Sequence, residues 1–195
     1  MLVRSGNGRF LPGFALASRR DMFSANAALI ACSRPILKRL AGLTQGVAHI
    51  GILEDDMVTY LVREGTEVGT IFSKEDRQLE AYCSALGKML LGSMPAELQD
   101  AYLASAPFVA LTDRTITDPE ALRAELRRVA AQGFAHDNGE AATGVRCFAV
   151  PVRDRQGAAV AALSLSVAGR ELDHTTALAS LSEARAQLEN ALYPV

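Results

Sequence analysis

The chain has 195 residues, of which 49% are hydrophobic and 22% charged, with 15 Gly, 7 Pro and 3 Cys. That length and balance describe one globular domain with a short appendage, and exclude a disordered, collagen-like or coiled-coil chain. The net charge of −2 conceals a polarity: residues 1–40 are +6 (seven Lys/Arg, one acid) and residues 41–195 are −8. A basic arm on an acidic body suits either an anionic partner at the N-terminal end or a solvated helix.

Cys32, Cys83 and Cys147 are widely spaced and form no Cys-x-x-Cys pair, which points to a reducing cytoplasm rather than a disulfide framework. No apolar run reaches the roughly 18 residues of a membrane span, so no membrane partner is expected. The N-terminus lacks the apolar core of a secretory signal.

Leu2–Arg4 and Arg9–Leu11 flank Ser5-Gly6-Asn7-Gly8, the pattern of a β-hairpin whose Asn-Gly supplies positive φ. Residues 21–44 read as helical, with apolar residues at Leu29, Ile36, Leu40 and Leu43. Pro35 argues for a break near Ser33, which would cap a second helix. Val47–Leu53 and Met57–Arg63 form an antiparallel hairpin around Glu54-Asp55-Asp56, with Val58, Tyr60 and Val62 sharing a face; Val68–Phe72 is a candidate third strand. Cys83–Leu91 and Pro95–Ala104 read as helices. Asp118-Pro119-Glu120 starts another that runs to Gly133, with Leu122, Leu126 and Val129 buried. Strands follow at Phe134–Asp137, Val145–Val152 and Ala158–Val167, then an amphipathic helix over Thr175–Leu192. The order defines an α+β sandwich around a mostly antiparallel sheet flanked by helices.

Familiar catalytic and metal signatures are missing. His49, His136 and His174 have no ligand spacing, so no metal is expected. Gly87-Lys88 lacks the rest of a phosphate loop, and there is no Gly-x-Ser-x-Gly elbow. Cys83 or Cys147 with His136 is the one pairing that could serve as nucleophile and base. Ser164 and Ser166 are more informative. Two residues apart on an apolar strand, they share a face opposite Leu163, Leu165 and Val167. Buried hydroxyls without partners cost about 1–3 kcal/mol, so the pair implies a bonding network, a polar ligand or a solvated face. Ser84 opens a helix, where free N–H groups and the positive dipole end suit a carboxylate.

Taken in order, Cys83-Ser84-Ala85-Leu86-Gly87-Lys88-Met89-Leu90-Leu91, Leu111-Thr112 with Thr115–Leu122, Gly133–Asp137, Gly144–Asp154 and Ala161–Ser166 resemble IclR-type bacterial transcriptional regulators over residues 1–192. The resemblance implies an N-terminal winged helix-turn-helix and a C-terminal GAF-like domain that binds a small effector. It divides this chain into residues 1–20, a remnant of the wing; 21–34, a linker helix; and 35–195, the GAF-like domain. DNA would then be reached only through a helix-turn-helix that this chain does not contain.

Carried over by position, the family pocket falls on Ala85 and Leu86 (backbone N–H), on Asp137, Cys147, Ser164 and Ser166 (polar contacts), and on Ile71 and Leu79 (apolar wall or lid). Leu86 is larger than the family's usual small residue. Tyr82-Cys83-Ser84 is closer to the branch that regulates aromatic-acid catabolism. The resemblance thus implies a small carboxylate effector, aromatic acids included, and a homodimer or homotetramer, with no cofactor and no catalysis. An oligomerisation module without a ligand, or a thiol-dependent GAF-type enzyme, are the competing readings.

Overall fold

Strand β8 (Ala159–Ala168) sorts the molecule into layers, because its odd and even positions differ in chemistry. The computed structural model describes residues 2–4, 10–12, 25–66, 73–171 and 173–194. Leu163 and Leu165 pack into a core shared with α1 (Ala25–Thr44) and α5 (His174–Leu192). Ala162 belongs to a second core on the opposite face, with α2 (Ala85–Gly92) and α4 (Pro119–Gln132). Ser164 and Ser166 share that second face, as period-two alternation requires.

The sheet has six strands in the order β5-β4-β3-β8-β7-β6, every pair antiparallel. β3 is Val47–Glu54, β4 Met57–Glu64, β5 Gln78–Glu80, β6 Ala135–Asn138 and β7 Val145–Arg153. A two-stranded pair precedes them, β1 (Leu2–Arg4) with β2 (Phe10–Pro12), as the hairpin pattern predicts; its turn lies outside the described residues. Short helix α3 (Ala96–Leu103) follows α2. The mixed helix and antiparallel-sheet class is thus as read from the sequence.

Local signals account for most boundaries. Asp118 caps α4 by accepting the Ala121 N–H at 2.8 Å, Pro119 stands in its first turn, and Gly133 closes it at φ 77°. The β3–β4 turn places Asp55 and Asp56 at φ 48° and 65°, a left-handed pair that aspartate tolerates.

Two expectations need correction. α1 runs without the break expected near Ser33. Pro35 deprives the Ala31 carbonyl of its helical donor, but Ala31 and Pro35 both face solvent, where water can replace it. Burial of Leu29, Ile36, Leu37, Leu40 and Ala41 then holds the helix together. Leu43, the last of the apolar residues of that stretch, is 78% exposed. Val62 does not share a face with Val58 and Tyr60. A bulge opposite Ile50/Gly51 inserts Leu61, so Val62 joins the α1/α5 core while Val58 and Tyr60 face α2. The strand expected at Val68–Phe72 lies outside the described residues, whereas β5 carries no alternation that predicts it.

Candidate functional site

Between the sheet and the N-terminus of α2 lies a cavity of about 180 Å³. Its floor comes from sheet register. Asp137 on β6 pairs with Cys147 on β7, and Cys147 with Ser166 on β8. Ser164, one step along, pairs with His49 on β3. Tyr60, paired with Gly51 ahead of the bulge in β4, stands on the same face, its ring 5.1 Å from that of His49. Leu79 and Gln78 on β5, with Ser73 and Arg77 just before it, form a side wall.

The end of α2 closes the opposite wall. Ser84 is its N-cap and accepts the Gly87 N–H at 3.1 Å. The first N–H groups of a helix have no intrahelical acceptor, so Ala85 and Leu86 present theirs where they line the cavity. A closely packed glycine makes the wall possible. A Cβ at Gly87 would fall 2.1 Å from the Ala81 carbonyl oxygen, so only glycine lets α2 lie against residues 80–82.

The lining is nearly free of charge. His49 is fully buried, and burial, reinforced by Arg63, lowers its pKa to about 3, so the ring is neutral. It bridges two hydroxyls, with Nε2 2.6 Å from Ser73 Oγ and Nδ1 3.3 Å from Ser164 Oγ. Burial also raises Tyr60, whose hydroxyl has no hydrogen-bond partner among the described residues. Asp137 is 1% exposed. Burial pushes its carboxyl up to about 7; the Glu140 N–H, 2.6 Å away, and Lys88 pull it down, and the Glu140 carboxylate pushes it further up. Arg77 is the only cation among the described lining residues, and it is exposed.

Just behind Asp137 lies a buried charge cluster. Lys88 Nζ, fully buried, sits 3.1 Å from Glu125 Oε1, 2.5 Å from Glu140 Oε1 and 2.6 Å from the His136 carbonyl oxygen. It ties α2 to α4, to β6 and to the loop after β6 that carries Glu140. Burial pushes Glu125 up, but Lys88 and Arg128 outweigh it and the net shift is downward.

Of the residues singled out from sequence, Ala85, Leu86, Leu79, Asp137, Cys147, Ser164 and Ser166 all line this one cavity. Ile71 lies outside the described residues. The sequence reading missed His49, Tyr60, Ser73 and Arg77. Only the pairing of His49 with Ser164 gives the histidine its place, and single-chain patterning does not fix strand partners. The Cys–His pairing does not form. His136 stacks on Phe148 at 4.4 Å, and Phe148 belongs to the α1/α5 core on the other face of the sheet from Cys147. Burial pushes the Cys83 thiol up to about 12 and Cys147 further, the reverse of an activated thiolate. Among the described residues there is no cluster of His, Cys, Asp or Glu fit for a metal, and no helix long and apolar enough to cross a membrane.

An antiparallel sheet between two helical layers, with a small cavity at a helix N-terminus, defines a small-molecule-sensing domain of the GAF-like class. Residues 23–190 match the family model for the C-terminal domain of the bacterial transcriptional regulator IclR. The regulator KdgR of Escherichia coli is 34% identical over 142 residues, covering 72% of this chain and 54% of KdgR. The Pca regulon regulatory protein of Pseudomonas putida is 33% identical over 147 residues, 74% of this chain and 50% of that protein. The crystal structure of an IclR homologue from Microbacterium hydrocarbonoxydans with 4-hydroxybenzoate superposes with a TM-score of 0.83 at 26% identity. It covers 98% of this chain and 79% of that one. The chain belongs to the IclR family of bacterial transcriptional regulators, as the ligand-sensing regulatory domain. It spans about half the length of the curated relatives it matches.

Proposed function

We propose that the cavity binds a small organic acid, aromatic acids included, and that occupancy biases α1 and so the DNA affinity of the full regulator. In this reading residues 1–20 belong to the wing of a winged-helix domain, 21–34 to a linker and 35–195 to the sensor. The full protein works in the cytoplasm as a homodimer or homotetramer and is not an enzyme. DNA would be read by the winged helix-turn-helix, and by nothing in the sensor.

The observation that carries the proposal is the convergence of the Ala85 and Leu86 amides with Ser164 and Ser166 around one cavity. Amides at a helix N-terminus and hydroxyls are what a carboxylate needs. The size fits too, since a cavity of roughly 150 Å³ accommodates benzene. The complex of the Microbacterium homologue with 4-hydroxybenzoate supports the ligand class. An oligomerisation module would need no such cavity.

Asp137 makes the expected affinity depend on pH. Ionised, it repels a bare carboxylate; protonated, it donates to one. Tyr60, Cys83 and Cys147, which face it, are raised by burial and stay neutral near pH 7, while Lys88 favours its ionised form and Glu140 opposes it. A carboxylate therefore binds with proton uptake, and its affinity falls as pH rises through about 7, by at most about tenfold per pH unit. Calorimetry in buffers of different ionisation enthalpy should detect the proton, and Asp137→Asn should abolish it. Equal proton uptake in the Asn variant would remove Asp137 from the site.

The direct test is a thermal-shift screen of aromatic and short aliphatic carboxylates at pH 6. A ligand at 100 times its dissociation constant should stabilise the chain by about 2.7 kcal/mol. Replacing both Ser164 and Ser166 by Ala should weaken it tenfold or more, about tenfold for each good hydrogen bond lost. Unchanged affinity in the double variant would sink the pocket assignment.

A further inference from the structure

The wall of the cavity formed by residues 73–77 is also bound to α1. Ser73 and Arg77 line the cavity, and Glu75 stands between them on a turn with Asp76 at φ 61°. The turn is pinned to β4 through the Tyr60 N–H on the Arg77 carbonyl at 3.0 Å and the Asp76 N–H on the Tyr60 carbonyl at 2.9 Å. Glu75 turns away from the cavity and meets Arg34 of α1 with both oxygens, 2.8 Å from Nη1 and 3.0 Å from Nη2. The same guanidinium reaches Glu64 of β4 at 3.0 Å, and Glu75 Oε1 also accepts the Arg63 N–H at 3.1 Å. A two-pronged arginine–carboxylate contact fixes direction as well as distance.

We propose that residues 73–77 couple the cavity to α1, with Ser73 reporting occupancy through His49 and Glu75 passing the change to Arg34. The proposal rests on the cavity being the effector site, and adds the route by which occupancy is read.

The chain Ser164–His49–Ser73 is suited to this. A neutral imidazole has one donor nitrogen and one acceptor nitrogen. Whichever role Ser164 takes at Nδ1 sets the role left for Ser73 at Nε2. When Ser164 donates its hydrogen bond to an effector carboxylate, it can no longer donate to Nδ1. The ring then presents N–H at Nδ1 and accepts at Nε2, or it leaves Ser73. Either change acts on residue 73, two residues from the carboxylate that holds α1. Arg34 and Glu75 are partly exposed, with 43% and 36% of their side-chain surface accessible. Such a contact is screened by solvent and can be shifted by one hydrogen bond, whereas a buried pair could not. A ligand moves such an equilibrium only by its differential affinity for the two arrangements.

The test is hydrogen exchange of α1 amides in the whole chain, first without ligand. Ser73→Ala should speed exchange in the half of α1 around Arg34 by about fivefold or more, the low end of ordinary coupling. In an Arg34→Gln background the same change should add nothing. Amides of α4 and β8 serve as the check that each variant remains folded. If Glu75→Gln speeds α1 exchange and Ser73→Ala does not, the contact is a static brace and the route is overturned. Additive effects of Ser73→Ala and Arg34→Gln overturn it as well.

The second arm adds 4-hydroxybenzoate at saturation. It should alter exchange at 73–77 and α1 in the unmodified chain, and at 73–77 alone in Arg34→Gln. Binding with no response in α1 overturns the route. If 4-hydroxybenzoate gives no thermal shift, that ligand is wrong for the site, and the ligand-free arm alone decides the coupling.

Discussion

Lys88→Met should destabilise the domain by about 3–5 kcal/mol, the range for removing one partner from a buried ion pair. Among the described residues Lys88 is the only cation within bonding distance of Glu140, and it shares Glu125 with Arg128. Glu140 is buried, and its Oε2 already has no hydrogen-bond partner among the described residues. With Nζ gone, Glu140 is a buried carboxylate with no counter-charge, and the His136 carbonyl loses its donor. Glu125 keeps Arg128, so Glu140 carries the penalty.

The sign with pH follows. Burial already raises Glu140 in the folded chain, and without Lys88 it rises further. Between its unfolded value and that raised value the native state holds the extra proton, so stability is lost as pH rises through the window. The deficit should therefore be large at pH 8 and shrink towards pH 5, and Glu140→Gln in the Lys88→Met background should recover part of it. Urea unfolding at both pH values measures this. A deficit below about 1 kcal/mol, or one independent of pH, would mean that the cluster is not holding these elements.

Gly87→Ala should be the second severe change, and helix propensity predicts the opposite. In an exposed helix interior Ala is favoured over Gly by about 1 kcal/mol. At Gly87 the added Cβ would lie 2.1, 2.3 and 2.6 Å from the Ala81 carbonyl oxygen, Cα and carbonyl carbon. Backbone cannot rotate aside as a side chain does, so α2 must withdraw. Overpacking of this kind costs about 1–3 kcal/mol and occasionally more; a clash against three backbone atoms belongs at or above the top of that range. Because α2 carries the Ala85 and Leu86 amides, ligand binding should go with it. Gly42, on the exposed side of α1 with nothing within 4 Å of where a Cβ would stand, is the control, and Gly42→Ala should stabilise by about 0.5–1 kcal/mol. Two glycine substitutions of opposite sign in thermal unfolding would separate packing from propensity; a stabilised Gly87→Ala chain would show that α2 is not clamped against residues 80–82.

Residues whose chemistry is local were legible in sequence. Asp118-Pro119 marks a helix start by side-chain capping, and Ser164 and Ser166 declare a polar face by their spacing alone. Seven of the eight pocket positions carried over by the family resemblance fall on one cavity, and the eighth, Ile71, lies outside the described residues. What escaped depends on distant partners. Lys88, Glu125 and Glu140 are 37 and 52 residues apart and look like ordinary surface charges until α2, α4 and the loop after β6 meet. The Leu61 bulge reverses every side chain beyond it, which strict alternation cannot anticipate. Pro35 misled for a related reason: its local cost is real, but tertiary burial along α1 outweighs it. His49 is a lone histidine by sequence and gains its partners only through strand pairing and the turn at 73–77.

The most direct measurement is a crystal structure of this chain with whichever carboxylate gives the largest thermal shift. The carboxylate should lie within hydrogen-bond distance of the Ala85 or Leu86 amide and of a Ser164 or Ser166 hydroxyl, with Asp137 against it. A ligand lodged elsewhere, for instance in the outer groove beside Arg146 and His174, with the cavity at α2 left empty, would contradict the site.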